Sequence, residues 1–254
     1  MRRLRIVIAV ACLLAVTAAS VGCSGADSGP GTPIKVFAAA SLQGAFDDLA
    51  AAFVAAEPGY AVAPIVYDGS SALATQIVEG ADVDVIAFAD ESSLRPVTAA
   101  GRAGPATVFA TNTLQIAVAP GNPKHLTGLA DLARPDVTTV LCAPEVPCGK
   151  AARRLLDAAH VAVRPVSEET NVTSVVTRVR AGEADAGLVY KTDVAAAGAA
   201  LTGITPADAE VAVNRYPIAV ATAAPSPAAA RAFVDFVRSP AGEAVLARHG
   251  FGPP

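Results

Sequence analysis

The 254 residues contain no tryptophan, one methionine and three histidines, and only 5% are aromatic. A core in this chain is therefore built from alanine and valine. His125, His160 and His249 are scattered, so a metal site is a minor reading. Lysine and arginine form no polybasic run or stripe, the usual footprint of phosphate-backbone binding, which argues against nucleic acid. Familiar catalytic signatures are missing too. There is no Gly-x-Ser-x-Gly, no His-Glu-x-x-His, no phosphate loop ending in Gly-Lys-Ser/Thr, and no Gly-x-Gly-x-x-Gly after the first strand. Catalysis is left without a supporting motif.

A long apolar run occurs once, at Ile6 to Val16, behind Arg2, Arg3 and Arg5 and ahead of a small-residue stretch ending in Gly22-Cys23. This reads as an export signal over residues 1–22. A cysteine at that point suggests a lipoprotein signal in which Cys23 takes the lipid, although Ser20 sits where such signals usually carry leucine. Plain secretion with cleavage nearby is the alternative. Residues 23–33 are rich in turn formers and read as a tether, with the fold starting near Ile34. Removing the signal takes three arginines and no acid, leaving 16 Lys and Arg against 23 Asp and Glu. Two further cysteines, Cys142 and Cys148, lie six residues apart in what is then an exported chain, and a disulfide between them is expected.

Strand-like runs alternate with helix-like segments throughout, the pattern of an α/β fold whose sheets are covered by helices. Strands are expected at Lys35 to Ala39, Ala61 to Tyr67, Val85 to Ala89, Leu114 to Ala119, Thr138 to Cys142, Ala186 to Tyr190 and Ile218 to Thr222. The clearest helical spacing is at Ser71 to Glu79, Lys150 to Ala159, Thr173 to Ala181 and Ala228 to Val237. Thr111 to Pro120 and Asn214 to Thr222 look alike: polar residues, then a strand, then proline or small residues. Two such segments suit crossovers between two lobes, with 34–114 and 220–254 forming lobe I, 115–219 forming lobe II, and a ligand cleft between them.

Ser41 stands where an apolar strand runs into an amphipathic helix, and Ser70-Ser71 repeats the arrangement. Cys148-Gly149 opens a third helix and Val172 a fourth. Helix N-termini leave N–H groups unpaired, each worth roughly half a positive charge, so four converging ends offer about two charges to a dianion. An ordinary N-cap serine would look the same at Ser41. Hydroxyl and N–H donors turned toward an anion favour one without a proton, which selects against phosphate. Asp84 and Asp90 flank a strand and could form an acid/base pair of an exported enzyme; a solvated strand entry and a helix cap at Asp90 are the plainer roles. Asn171-Val-Thr173 matches a glycosylation triplet that would crowd the helix start at Val172. A surface lipoprotein acting by protein contact is a third class.

The strings Val36-Phe-Ala-Ala-Ala-Ser-Leu42, Ser70-Ser-Ala-Leu-Ala-Thr-Gln-Ile77, Pro144-Glu-Val-Pro-Cys-Gly149, Ala186-Gly-Leu-Val-Tyr190, Tyr216-Pro-Ile-Ala-Val220 and Gly250-Phe251 together carry a family likeness. The chain resembles, from Ile34 to its C-terminus, the molybdate-binding proteins of ABC importers, a family of two-lobed periplasmic binding proteins. The resemblance implies an oxyanion, molybdate or tungstate, held by Ser41, Ser70, the backbone N–H groups of Cys148 and Val172, and the Tyr190 hydroxyl. Cys148 stands where many relatives have alanine, in a loop one residue shorter, and Ser71 is the substitute for Ser70. The resemblance also implies closure of the lobes over the anion and delivery to an ABC permease with its ATPase. No cofactor is implied, and molybdenum is bound only as its oxyanion. The protein would be a monomer, lipid-anchored by Cys23 to the outer face of the cell membrane. Sulfate is the nearest rival ligand. Iron ranks low, since paired tyrosine ligands are not apparent among Tyr60, Tyr67, Tyr190 and Tyr216.

Overall fold

The structure is a computed structural model and describes residues 32–254. The export signal over 1–22, Cys23 and the tether up to residue 31 lie outside the described residues. The first part of the chain alternates β1 (Val36–Ala39), α1 (Gln43–Ala56), β2 (Val66–Asp68), α2 (Ser70–Val78), β3 (Val85–Ala87), α3 (Glu91–Ala99) and β4 (Thr107–Asn112). A second run follows: β5 (Leu114–Val118), β6 (Thr139–Cys142), α4 (Pro147–Ala158), β7 (Ser167–Glu169), α5 (Val172–Ala181), β8 (Ala186–Tyr190), α6 (Lys191–Ala197) and β9 (Thr202–Ile204). The chain ends with β10 (Asn214–Val220), α7 (Pro227–Val237) and α8 (Pro240–Arg248).

These strands form two five-stranded mixed sheets, ordered β2-β1-β3-β10-β4 and β7-β6-β8-β5-β9. β1 runs parallel to β2 and β3, while β10 is antiparallel to β3 and β4. In the second sheet β6 is parallel to β7 and β8, and β5 antiparallel to β8 and β9. The α/β architecture in two lobes is therefore present, one sheet to each.

Burial follows from side-chain alternation along the strands. Every residue of β1 is buried: Val36 and Ala38 join a cluster with α1, α7 and α8, and Phe37 joins one on the opposite face with α2 and α3. In α1, Phe46, Leu49 and Phe53 recur at helical spacing and are wholly buried. Phe53 meets Phe233 of α7 edge to face, ring centroids 5.3 Å apart, and Phe46 meets the same ring at 6.3 Å. The second lobe has one continuous core, with Ile116, Val140 and Leu188 from the sheet against Ala151, Leu155, Val175 and Val179 from α4 and α5.

Several expectations shift. β2 is shorter than Ala61 to Tyr67, because Pro64 has no N–H to donate; only an isolated bridge, Ile34 to Val62, precedes it. β4, β7 and β9 had no clear pattern in sequence, and β7 is the polar edge strand Ser-Glu-Glu. The return to the first lobe, expected at 219/220, falls inside β10, which begins at Asn214 and pairs with β3 and β4. Cys142 and Cys148 are joined by a disulfide, Cα to Cα 5.7 Å, tying the end of β6 to the first turn of α4.

Replacing Phe233 by alanine removes a ring shared by α1 and α7, and is expected to cost about 3–5 kcal/mol of unfolding free energy. Val211→Ala, at an exposed side chain, is expected to change it by less than about 0.5 kcal/mol in the same denaturant titration. Equal effects from the two would contradict this placing of the core.

Candidate functional site

A small cavity, with about 10 Å³ open to the centre of a water-sized sphere, lies where the ends of β1, β2 and β8 face the starts of α2, α4 and α5. Ser41, Ser70, Cys148, Val172 and Tyr190 all line it. Residues far apart in the sequence thus meet in one small space, the two serines from the first lobe and the rest from the second.

Neither serine is an N-cap. Ser41 sits in a single 3-10 turn, Ala40–Leu42, with α1 starting only at Gln43, and Ser70 is the first residue of α2 behind Gly69. No side-chain capping bond closes either helix, so both hydroxyls are used elsewhere. Ser41 Oγ lies 3.0 Å from Tyr216 Oη. Ser70, 1% exposed, accepts a hydrogen bond from Ala89 N at 3.0 Å. Ser71 points away from this pair, and its Oγ donates to Glu145 O, 2.6 Å away in the other lobe.

In the second lobe, Pro147 occupies the first turn of α4 and has no N–H, so Cys148 and Gly149 carry the first free ones. A Cβ on Gly149 would fall 1.9 Å from Ala143 O, so only glycine lets the helix start this close to β6. α5 is capped by Asn171, whose Oδ1 accepts from Ser174 N at 3.0 Å. The same Asn171 donates through Nδ2 to Asp68 Oδ1, 3.0 Å across the cleft. That contact holds the amide of the triplet against Asp68.

Tyr190 ends β8 and is 1% exposed; its Oη accepts from Asn214 Nδ2 at 2.7 Å, and its backbone N donates to Asp193 Oδ2 at 2.8 Å. Burial drives the Tyr190 phenol well above its ordinary value, with the neighbouring Tyr216, Asp193 and Asp90 adding to the effect. Burial raises the Tyr216 phenol likewise. Both rings keep their hydrogens at neutral pH. They pack edge to face with centroids 6.0 Å apart, a tyrosine pair that sequence inspection had not suggested.

The electrostatics of the cavity come from dipoles rather than from basic side chains. Among the described residues, no lysine or arginine lines it, and its one carboxylate is Asp68 at the rim, engaged by Gly69 N at 2.7 Å and by Asn171. Positive potential comes from N–H groups at the starts of α2, α4 and α5.

The acid/base pair considered from sequence is not assembled. Asp84, fully buried, accepts from Lys35 N at 2.9 Å and from Ser226 N at 2.8 Å, fastening the start of β3 to the loop before α7. Asp90 caps α3, accepting from Ser93 N at 2.7 Å and Ser92 Oγ at 2.8 Å, with Lys150 Nζ 3.3 Å away. Burial pushes its carboxyl up, but these hydrogen bonds and Lys150 together hold it below the ordinary value. His249 pairs with Asp48 at 2.8 Å. Among the described residues, no three of His, Cys, Asp and Glu gather into a metal-sized group.

Residues that sequence reading passed over complete the surroundings: Tyr216, Asn112, Asn214 and Asp68. Asn112 and Asn214 stand in the polar entries of the two look-alike segments, which was the available signal.

The model for the bacterial extracellular solute-binding protein family matches residues 34–252. The molybdate-binding protein ModA of Mycobacterium tuberculosis H37Rv is 46% identical over 222 residues, 87% of this chain and 85% of that protein, and ModA of Mycobacterium bovis matches equally. Among solved structures, the Azotobacter vinelandii periplasmic molybdate-binding protein superposes with a TM-score of 0.76 at 22% identity, over 87% of this chain and 99% of that one. The sulfate-binding protein SubI of M. tuberculosis H37Rv superposes with a TM-score of 0.74 at 20% identity, over 87% of each chain. The structural likenesses speak for the fold; the family match and the sequence identity place the chain in the bacterial extracellular solute-binding protein family.

Proposed function

We propose that this protein is the extracytoplasmic receptor of an ABC importer for molybdate, and for tungstate, taken between the lobes and passed to a permease driven by its ATPase. The observation that carries the reading is the convergence of Ser41, Ser70, Cys148, Val172 and Tyr190 on one cavity with no basic side chain among its described lining residues. In this reading the two serine hydroxyls, the Tyr190 hydroxyl and the N–H groups of Cys148 and Val172 surround the oxyanion. Molybdenum is cargo carried as an oxyanion, so the protein needs no cofactor of its own and breaks no bond. The relatives are named for molybdate, which favours that anion over sulfate; the fold alone matches both kinds of receptor about equally.

Lobe I in this proposal comprises residues 34–112 and 214–254, and lobe II residues 113–213, which moves the return boundary to the start of β10. The chain acts as a monomer, exported and held at the outer face of the membrane by a lipid on Cys23. Closure is supported by the close approach of Gly69 to the other lobe, where a Cβ would lie 2.2 Å from Thr170 O.

Calorimetric titration of residues 24–254, stripped of carried-over ligand, is expected to show saturable binding of molybdate and tungstate and none of sulfate or phosphate. Preference for sulfate would change the ligand; silence toward all four would overturn the reading. Ser41→Ala should weaken molybdate binding about 10- to 100-fold, as expected for losing one hydrogen bond to a charged group. Gly69→Ala should leave the melting temperature of the unliganded protein within about 2 °C, since each lobe keeps its own core, yet abolish the compaction that molybdate produces in small-angle scattering. Full compaction in that variant would contradict the contact as a closure gate.

A further inference from the structure

A hydroxyl can donate or accept, so a cavity lined by Ser41, Ser70 and Tyr190 is not a donor cage by composition alone. What stands behind each hydroxyl decides its direction. Tyr190 Oη receives a hydrogen from Asn214 Nδ2 at 2.7 Å. The Asn214 amide cannot be turned over, because its Oδ1 accepts from the Arg154 guanidinium at 3.0 Å while Nδ2 also donates to Ala89 O at 2.9 Å. Asn112 repeats this device one strand away. Its Oδ1 accepts from Thr113 N at 3.0 Å, and its Nδ2 donates to Thr192 Oγ1 at 2.8 Å and, over a longer 3.4 Å, to Tyr216 Oη. Tyr216 Oη lies 3.0 Å from Ser41 Oγ, a contact in which either hydroxyl can donate; with Asn112 donating to Tyr216, the Tyr216 hydrogen is available for Ser41. Ser70 Oγ takes its hydrogen from Ala89 N. Tyr190 and Ser70 thus each have a donor behind them and their own hydrogen left for the cavity, and Ser41 is in the same position when Tyr216 donates to it.

The two asparagines are directly opposite one another in the pairing of β4 with β10, and both are 1% exposed. Each amide has partners for both its oxygen and its nitrogen, which is what lets two such groups sit in the interior, and an apolar pair would leave those partners unmatched. We infer that Asn112 and Asn214 are specificity-setting positioning residues, which orient the hydroxyls of Ser41 and Tyr190 as donors and thereby restrict the cavity to oxyanions that carry no proton. Neither asparagine is among the residues that line the cavity. A protonated anion such as hydrogen phosphate would bring an O–H that finds no lone pair, and its binding is expected to be at least about 10-fold weaker for that reason.

This inference rests on the oxyanion reading above, and a double-mutant cycle separates the two. Asn214→Asp keeps the acceptor for Arg154 but has no hydrogen for Tyr190, so the Tyr190 hydroxyl turns to donate to the new carboxylate. Molybdate affinity is expected to fall about 10- to 100-fold, the scale of one hydrogen bond to a charged group. Tyr190→Phe should cost a similar factor in the parent chain and less than about threefold in the Asn214→Asp chain, because the two changes remove the same donated hydrogen. Asn112→Asp paired with Ser41→Ala is the parallel cycle, and it carries the test if Asn214→Asp fails to fold. Affinity within about twofold of the parent in the asparagine variants, or additive losses in both cycles, would overturn the inference and leave the receptor reading standing. A parent chain that binds none of the oxyanions would overturn both.

Discussion

The pairing of β4 with β10 governs how everything else in the molecule is placed. These strands bring the chain to the second lobe and back, and they pair from Asn112 opposite Asn214 to Ala110 opposite Tyr216, after which the register shifts by one residue. β5 begins at Leu114, just past Asn112, and that first residue pairs with Tyr190 at the end of β8. The same few residues therefore connect the lobes, form the edge of the first sheet and set the position of a tyrosine in the cleft. A slip of one residue in this pairing would turn every side chain of β10 to the opposite face, removing Tyr216 from Ser41 and Asn214 from Tyr190.

Around that axis, the lobes meet through polar contacts, the Lys150–Asp90 ion pair among them. Ser71 donates to the Glu145 carbonyl, Asn171 to Asp68, and Arg154 to Asn214, while Lys150 reaches Ser92, Ser93 and Asp90 at the start of α3. Most of these are single hydrogen bonds with one charged partner, each worth about 1.5–3 kcal/mol at most, a scale suited to an interface that opens and closes. A ligand that adds several bonds to this set shifts the balance toward the closed form by its differential affinity. Holding an anion by dipoles rather than by lysine or arginine also leaves no buried positive charge uncompensated when the cleft is empty.

Much of the first lobe was legible because it obeys simple periodicities. The run Val36–Ala39 is uniformly apolar and becomes a strand buried on both faces, and the α1 pattern around Phe46, Leu49 and Phe53 gives its inner face directly. Ser41 and Ser70 were readable as strand-to-helix junctions, though their hydroxyls turned out to be supported from behind rather than to cap helices. β7 and β9 were not legible because an edge strand of three residues is held by backbone pairing, which leaves little trace in side chains. β10 was trimmed at its polar start because Asn214 and Arg215 look like loop residues, yet Asn214 is buried by the tyrosine it serves. The meeting of Tyr190 with Tyr216 depends on tertiary packing of two sheets, which no local pattern contains.

The proposed receptor function comes down to one oxyanion occupying the cavity between the lobes and touching donors from both. Anomalous scattering at the molybdenum edge, from crystals of the protein grown with molybdate, puts that to the sharpest test. A single strong peak is expected inside the cavity, with oxygen atoms at hydrogen-bond distance from Ser41 Oγ, Ser70 Oγ, Tyr190 Oη and the backbone nitrogens of Cys148 and Val172. A peak elsewhere, or a cavity that excludes the anion while the protein binds it in solution, would contradict it.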